Sequence, residues 1–140
     1  MRVKCIANKK QAIDAQYWPD VDRWKRSDEL FLTIGKSYDV FGLAIRNDRV
    51  WYLVSEEDET EYPYVHLSAF FEVEDASIPP GWVLTTRENN LGSPISILPA
   101  RWAADSAFLE RLVDEDPDAI AFYRELQRSG GAAPADGGQG

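Results

Sequence analysis

The chain has 140 residues and 17 aromatic side chains, which is enough apolar material for one packed core. Its net charge of −9 is uneven, because residues 1–54 carry a net +3 and residues 55–140 a net −12. This acidic field repels phosphate, so it disfavours direct binding to nucleic acid or an anionic membrane and favours a basic protein partner.

The cysteine count and the hydropathy pattern indicate where the chain works. Cys5 is the single cysteine, so it cannot form an internal disulfide, and it lies in a segment where buried free thiols are common. The sequence contains neither a signal-peptide core nor a run of about 18 apolar residues. It therefore predicts a cytoplasmic protein that does not enter a membrane.

The first 80 residues carry the signals of short strands. Over residues 2–7 one face consists of Val3, Cys5 and Ala7 and the other of Arg2, Lys4 and Ile6, which predicts a strand with one buried face. A long ordered loop anchored by aromatic residues is expected over 8–29. Turns are predicted at 35–36 and 47–48. Further strands are predicted over 30–34, 37–45, 50–54, 62–65 and 70–73.

Beyond Pro79-Pro80-Gly81 the pattern changes to one more strand, over 82–86, a loop over 87–93, and two helices. The first helix starts at Asp105 or Ser106. The second has Asp116 as N-cap and Pro117 as its first residue. Its apolar stripe consists of Ala119, Phe122, Tyr123 and Leu126. These elements predict a mainly β, α+β fold: a small barrel with an added strand near Trp82 and two C-terminal helices.

The domain limits follow from the same pattern. One domain is expected over 1–128, and the Gly- and Ala-rich tail over 129–140 is expected to be disordered.

Signals for catalysis are weak. His66 is the single histidine, and the sequence shows no nucleophile or second base to accompany it, so a structural or surface role is expected. A Cys5 and His66 dyad has no supporting motif. Phosphate-binding loops, nucleophile elbows and metal-binding motifs are lacking, and the acidic run has no central glycine of a calcium loop. The sequence therefore predicts a protein that is not an enzyme and that holds neither cofactor nor metal.

Two groups of residues are candidates for binding a protein partner. Acidic residues cluster between two predicted strands, where they either present charge to a partner or form a solvated hairpin loop. The aromatic residues in or near loops either anchor an interface or cover the ends of the barrel. The predicted binding residues are Glu56, Glu57, Asp58, Glu59, Glu61, Tyr62, Tyr64, Trp18 and Trp24.

Three stretches carry a resemblance to a known group of proteins. Residues 32–40 contain T-x-G-K-x-Y-x-V, residues 50–54 end in Y-L-V, and residues 71–75 read F-E-V-x-D. Over roughly residues 1–85, this pattern resembles small bacterial SH3-like proteins, which implies an SH3-like barrel. Some proteins of this kind resemble the immunity proteins of contact-dependent inhibition and other polymorphic toxin systems.

The resemblance implies a function. Such immunity proteins are small, acidic and cytoplasmic, and they block a toxin that is commonly a basic nuclease. We therefore expect a monomeric immunity protein, or antitoxin, that binds and neutralises a toxin. The alternatives are a protein-binding or scaffold module for another endogenous partner, and an enzyme of unrecognised type.

Overall fold

The computed structural model describes residues 1–24, 30–55, 62–87, 91 and 93–132. Within these residues the fold is α+β, with two antiparallel sheets and short helices, as the sequence predicts at this level. The strands are β1 (Arg2–Cys5), β2 (Ser37–Asp39), β3 (Gly42–Arg46), β4 (Arg49–Val54), β5 (Tyr64–Leu67), β6 (Phe71–Asp75), β7 (Trp82–Thr85) and β8 (Ile95–Pro99). The helices are α1 (Trp18–Trp24), α2 (Ala100–Ala103), α3 (Phe108–Val113) and α4 (Pro117–Arg128).

The strands form a three-stranded sheet in the order β2-β1-β6 and a five-stranded sheet in the order β5-β4-β3-β8-β7. The strands of the described residues do not close into a barrel. The predicted alternation of β1 is confirmed, because Val3 and Cys5 are buried whereas Arg2 and Lys4 are exposed. The turn predicted at 47–48 is also confirmed, with positive φ at both Asn47 and Asp48, as a two-residue hairpin between β3 and β4 requires.

The single strand predicted over 37–45 is wrong, because the chain changes sheets in the middle of it. The Val40 amide donates to the Met1 carbonyl beside the first sheet, and the Phe41 amide donates to the Leu53 carbonyl of the second. Gly42 follows at a close approach, where an added Cβ would lie 2.6 Å from a Leu98 methyl carbon. The apolar sequence pattern does not break at this crossing, because Val40 before it and Phe41 after it are both buried.

The strand predicted over 30–34 is also wrong. Side chains satisfy part of its backbone: the Asn8 amide donates to the Leu32 carbonyl at 2.9 Å, and the Thr33 amide donates to the Tyr38 hydroxyl at 2.9 Å. The loop predicted over 8–29 contains helix α1, whose first turn includes Pro19, where proline's missing amide hydrogen costs nothing. Residues 25–29 lie outside the described part of the chain.

The C-terminal half gains elements that were not predicted. Strand β8 and helix α2 follow the loop, and β8 pairs with β3 on one side and with the predicted strand β7 on the other. The predicted N-cap of α4 is confirmed, because the Asp116 carboxylate accepts from the amides of Asp118 and Ala119. The predicted stripe is confirmed as well, since all four of its side chains are buried.

The helices share one hydrophobic core with the sheets. Phe108 of α3 contacts the Trp102 ring at 4.6 Å between centroids and the Phe122 ring at 5.7 Å. Tyr123 of α4 packs edge-on against Phe41 at 5.4 Å. The last helix therefore packs on the point where the chain crosses between the sheets.

The end of α4 is followed by ordered residues. Gly130 and Gly131 both have positive φ, and the Gly131 amide donates to the Leu126 carbonyl at 2.8 Å. The Trp82 indole donates to the Gly131 carbonyl at 2.7 Å. Residues 129–132 thus form a helix cap that contacts β7, and residues 133–140 of the tail predicted over 129–140 lie outside the described residues.

Candidate functional site

Tyr62 and Tyr64 form a pair at one end of the five-stranded sheet. Tyr64 lies opposite Val54 in the pairing of β4 with β5. Its ring centroid is 5.2 Å from that of Tyr62, and its hydroxyl donates to the Tyr62 hydroxyl at 3.4 Å. Both side chains are half-buried, so each ring is held in place with part of its surface in water.

The acidic residues Glu56, Glu57, Asp58, Glu59 and Glu61 lie outside the described residues. The structure describes the residue before them: Ser55 is hydrogen-bonded to the Tyr123 hydroxyl and accepts from the Gln127 amide at 3.4 Å. Burial raises the pKa of Tyr123, which therefore stays neutral at physiological pH. Ser55, which precedes the acidic segment in the sequence, therefore lies beside α4, and Tyr62, which follows it, belongs to the tyrosine pair.

The predicted aromatic anchor Trp18 lies in a compact turn structure. Its indole donates to the Ile13 carbonyl at 3.1 Å, and the Lys10 ammonium lies 5.5 Å from its ring centroid. The side chain is half-buried. Trp24 ends α1, and its side chain lies outside the described part of the structure.

Asp20 anchors helix α1 to the β3–β4 hairpin, a role that sequence reasoning missed. Its carboxylate is 4% exposed and accepts from the Asn47 amide at 2.9 Å and from Arg49 Nε at 3.4 Å. The Arg49 guanidinium also lies 4.5 Å from the centroid of the Tyr17 ring. No sequence signal marks Asp20, because a carboxylate in the first turn of a helix is ordinarily a solvated one.

The predicted binding residues therefore do not form one site. Helix α1 is attached at Arg49, the first residue of β4, whereas Tyr64 pairs with Val54, its last. At about 3.4 Å per residue, some 17 Å of strand separates the two points. The structure places Tyr64 at the Val54 end of β4 and the helix that carries Trp18 at the Arg49 end.

Sequence reasoning also missed an exposed apolar patch. Ile6, Phe31 and Ile34 are 49%, 64% and 58% exposed, and we call them the Phe31 patch. Backbone hydrogen bonds hold the two segments that carry them side by side: the Gly35 amide donates to Cys5, and the Leu30 amide donates to Asn8. Ile6 lies just beyond β1 and is exposed, as expected for the outer face of the strand predicted over 2–7, but the strand wrongly predicted over 30–34 concealed its neighbours.

The possible catalytic residues are both inaccessible. His66 is 4% exposed, and its ring lies 6.3 Å from that of Phe71. Cys5 is completely buried, and its thiol donates to the Ala7 carbonyl at 3.3 Å. Among the described residues, no group of three His, Cys, Asp or Glu side chains is placed to hold a metal ion.

An open, charged depression of about 350 Å³ lies where the three-stranded sheet meets the end of α4. Arg2, Asp39, Asp75 and Arg128 are among its lining residues, and Arg2 Nε is 3.6 Å from Asp39 Oδ1. Hydrogen bonds from Ser77 lower the pKa of Asp75, with smaller contributions from the N-terminal amine and Arg2. Within this depression Arg2 is therefore paired with Asp39, whereas Arg128 pairs with Glu125 outside the lining.

Comparisons with protein families, with curated proteins and with solved structures find no match for this chain. In the described parts of the chain, no helix has both the length and the apolar character needed to cross a membrane.

Proposed function

We propose that this protein acts by binding another protein, and the observation that carries the proposal is the Phe31 patch. Three large apolar side chains with about half or more of their surface in water lie on adjacent, hydrogen-bonded segments. Exposed apolar clusters on an ordered backbone are typical of interaction sites, and an aromatic side chain at the centre is typical of an interface hot spot.

The charge of the chain favours a basic partner. The acidic segment between β4 and β5 has five carboxylates in six residues, and residues 55–140 contribute a net −12. Complementary potentials accelerate encounter with a basic protein, whereas buried apolar contacts slow its dissociation. The acidic segment and the Phe31 patch therefore contribute to different steps of the same binding reaction.

Within this class, we propose that the protein is a cytoplasmic immunity protein that neutralises a basic toxin, such as a nuclease. The acidic composition and the resemblance to SH3-like immunity proteins support this choice over a scaffold for another endogenous partner. A gene for a large secreted protein beside this one, and rescue of cells from the toxin domain it encodes, would favour immunity. A metabolic operon and failure to rescue would favour the scaffold.

The binding test compares Phe31→Ala with Val113→Ala, a matched control because Val113 is 48% exposed on α3. The partner is identified by pull-down from the native strain, and its purified form is used to measure dissociation. We expect Phe31→Ala to raise the Kd about 30-fold, mainly through faster dissociation, and Val113→Ala to leave it unchanged. Equal affinity of Phe31→Ala and the parent would show that the patch is not the interface.

A further inference from the structure

Strand β7 differs from the other strands at the sheet edges. The edge strand β6 carries Glu72, Glu74 and Asp75, β2 ends in Asp39, and the side chains of β5 are half-buried or buried. In contrast, β7 has no charged residue, and its two middle side chains, Val83 and Leu84, are 41% and 66% exposed. Charges on edge strands prevent pairing with another chain, and β7 has none.

The hydrogen-bond pattern shows which backbone groups of β7 face outward. The Ala100 amide donates to the Gly81 carbonyl at 2.8 Å, and Pro99, opposite Trp82, has no amide hydrogen to donate. Hydrogen-bonded and non-hydrogen-bonded pairs alternate along an antiparallel ladder. Val83 and Thr85 therefore direct their backbone groups toward β8, whereas Trp82 and Leu84 direct theirs toward the outer edge.

The exposed Leu84 side chain continues an apolar row. Leu84 lies opposite Ile97 on β8, and Ile97 lies opposite Leu43 on β3. Partners in an antiparallel ladder point to the same face of the sheet, so the row ends at the Leu84 edge. Ile95, two residues from Ile97 on the same face, is also 36% exposed.

We propose that β7 pairs with β7 of a second copy of this chain, antiparallel, with Leu84 on the two-fold axis. Each Leu84 amide then donates to the Leu84 carbonyl of the other copy, and Val83 lies opposite Thr85. This register satisfies the outward backbone groups and extends the apolar row across the axis. The result is a continuous ten-stranded sheet.

The charges near this edge favour a second copy of the chain over a basic protein as the partner of β7. Neither β7 nor β8 contains an acidic residue to attract a basic protein, and Arg87, two residues beyond β7, would repel one. Two copies of a chain with a net charge of −9 repel one another elsewhere, but this contact places no carboxylate against another. Self-association at this edge therefore brings together two strands without charged residues.

The dimer is weak and leaves β5 of each copy uncovered by the other copy. A contact of four strand residues per copy lies below the roughly 1,000 Å² of a stable interface, so we expect a Kd of about 10⁻⁵ to 10⁻³ M. The two copies of β5 stand at the far edges of the combined sheet, about 43 Å apart at 4.8 Å per strand. Each copy can therefore bind a partner while paired.

Sedimentation velocity of the full chain, from about 1 µM to about 1 mM, tests the pairing. The parent is expected to shift from monomer to dimer over this range. Leu84→Lys should remain monomeric, because it places two ammonium groups at the axis, and Val113→Lys, the same change at an exposed helix position, should dimerise like the parent. A parent that stays monomeric at the highest concentration, or a Leu84→Lys variant that dimerises equally well, overturns the proposal.

Two measurements test the register. Leu84→Cys should form an intermolecular disulfide on oxidation, because Cα atoms of a hydrogen-bonded antiparallel pair are about 5.5 Å apart, whereas Val83→Cys, about 8 Å from its copy, should not. Hydrogen exchange of the Leu84 amide should slow as the concentration rises to about 1 mM, by about twofold for a Kd near 10⁻³ M and by more than about tenfold for a Kd near 10⁻⁵ M. Equal crosslinking of both variants, or protection that is already complete in the monomer because the chain covers its own edge, contradicts the proposal.

Discussion

Asp20 shows how a single residue links a helix to the sheets. Its buried carboxylate accepts from Asn47 and Arg49, and these contacts join α1 to the hairpin at the start of β4. The hairpin turn holds Asn47 and Asp48 at positive φ, which directs the Asn47 side chain toward the helix. The position of Trp18 therefore depends on a carboxylate two residues away in the same helix.

Replacing Asp20 with Ala should lower the free energy of unfolding by about 1–3 kcal/mol, because two donors lose their buried acceptor. The matched control is Asp22→Ala in the same helix, since Asp22 is exposed and pairs with Lys10 at 2.9 Å. A surface pair of this kind contributes at most about 1 kcal/mol. Urea unfolding decides the matter, and equal losses in the two variants would show that the hairpin contact contributes nothing.

At the scale of elements, success of the sequence prediction depended on whether the signal was local. The start of α4 was predictable because Asp116 and Pro117 satisfy the helix end by themselves. The crossing between the sheets at Val40 was not predictable, because Val40 is held by a hydrogen bond to Met1, which is distant in sequence. Strand β8, which follows the loop predicted over 87–93, was missed because its contacts are distant in sequence: the Ser93 hydroxyl just before it bonds to Ile45 in the neighbouring strand.

The difference between local signals and contacts distant in sequence also decides which binding residues could be predicted. Tyr62 and Tyr64 are two apart in the sequence, and their proximity could be predicted from that spacing. The Phe31 patch joins residues from segments 5–8 and 30–36, and their pairing follows from long-range hydrogen bonds that no motif marks. The sequence does not reveal that Phe31 is exposed, because Phe31 and its neighbour Leu32 are both apolar. In the structure it is Leu32 that enters the core.

Helices α3 and α4 are joined by a charged clamp whose effect should depend on pH. Arg111 donates from Nε to Asp116 at 3.1 Å and from Nη1 to Asp105 at 2.5 Å. Hydrogen bonding to Arg111, with further bonds from the first turn of α4, lowers the pKa of Asp116 from its ordinary value of 3.8. The stabilisation is therefore fully present above that value and is lost as the pH falls through the lowered pKa.

The Arg111→Gln variant should melt at a lower temperature than the parent at pH 7, and the difference should shrink below about pH 4 as the carboxylates are protonated. Arg124→Gln on the exposed face of α4 provides the control with the same change of charge. Thermal unfolding of the three proteins across the pH range is the measurement. A difference between Arg111→Gln and the parent that stays constant down to pH 2 would exclude the ionic clamp.

At the scale of the whole molecule, charge and apolar surface are separated. The outer face of the three-stranded sheet carries the basic β1 between the acidic β6 and Asp39 of β2, so its charges are largely paired across strands. The acidic segment between β4 and β5 has no such compensation in its own sequence. It adjoins β5, at the edge of the five-stranded sheet opposite to the uncharged β7.

Neutralising the acidic segment should therefore slow encounter with a basic partner more than an equal loss of charge elsewhere. The test variant changes Glu56, Glu57, Asp58, Glu59 and Glu61 to Gln or Asn, which moves the net charge from −9 to −4. The control makes the same change at the exposed residues Asp48, Glu72, Asp114, Glu115 and Glu125. Association rates are measured against ionic strength, with thermal unfolding as the check on folding.

At low salt, the test variant should associate about tenfold more slowly than the parent and show a flatter salt dependence, because steering by a local field is strongest when screening is weak. Its thermal stability should be equal or slightly higher, since five neighbouring like charges repel one another. Equal slowing of both variants would assign steering to the net charge of the chain. Association of the test variant as fast as the parent would show that these carboxylates are only solvated, so that recognition depends on the Phe31 patch alone.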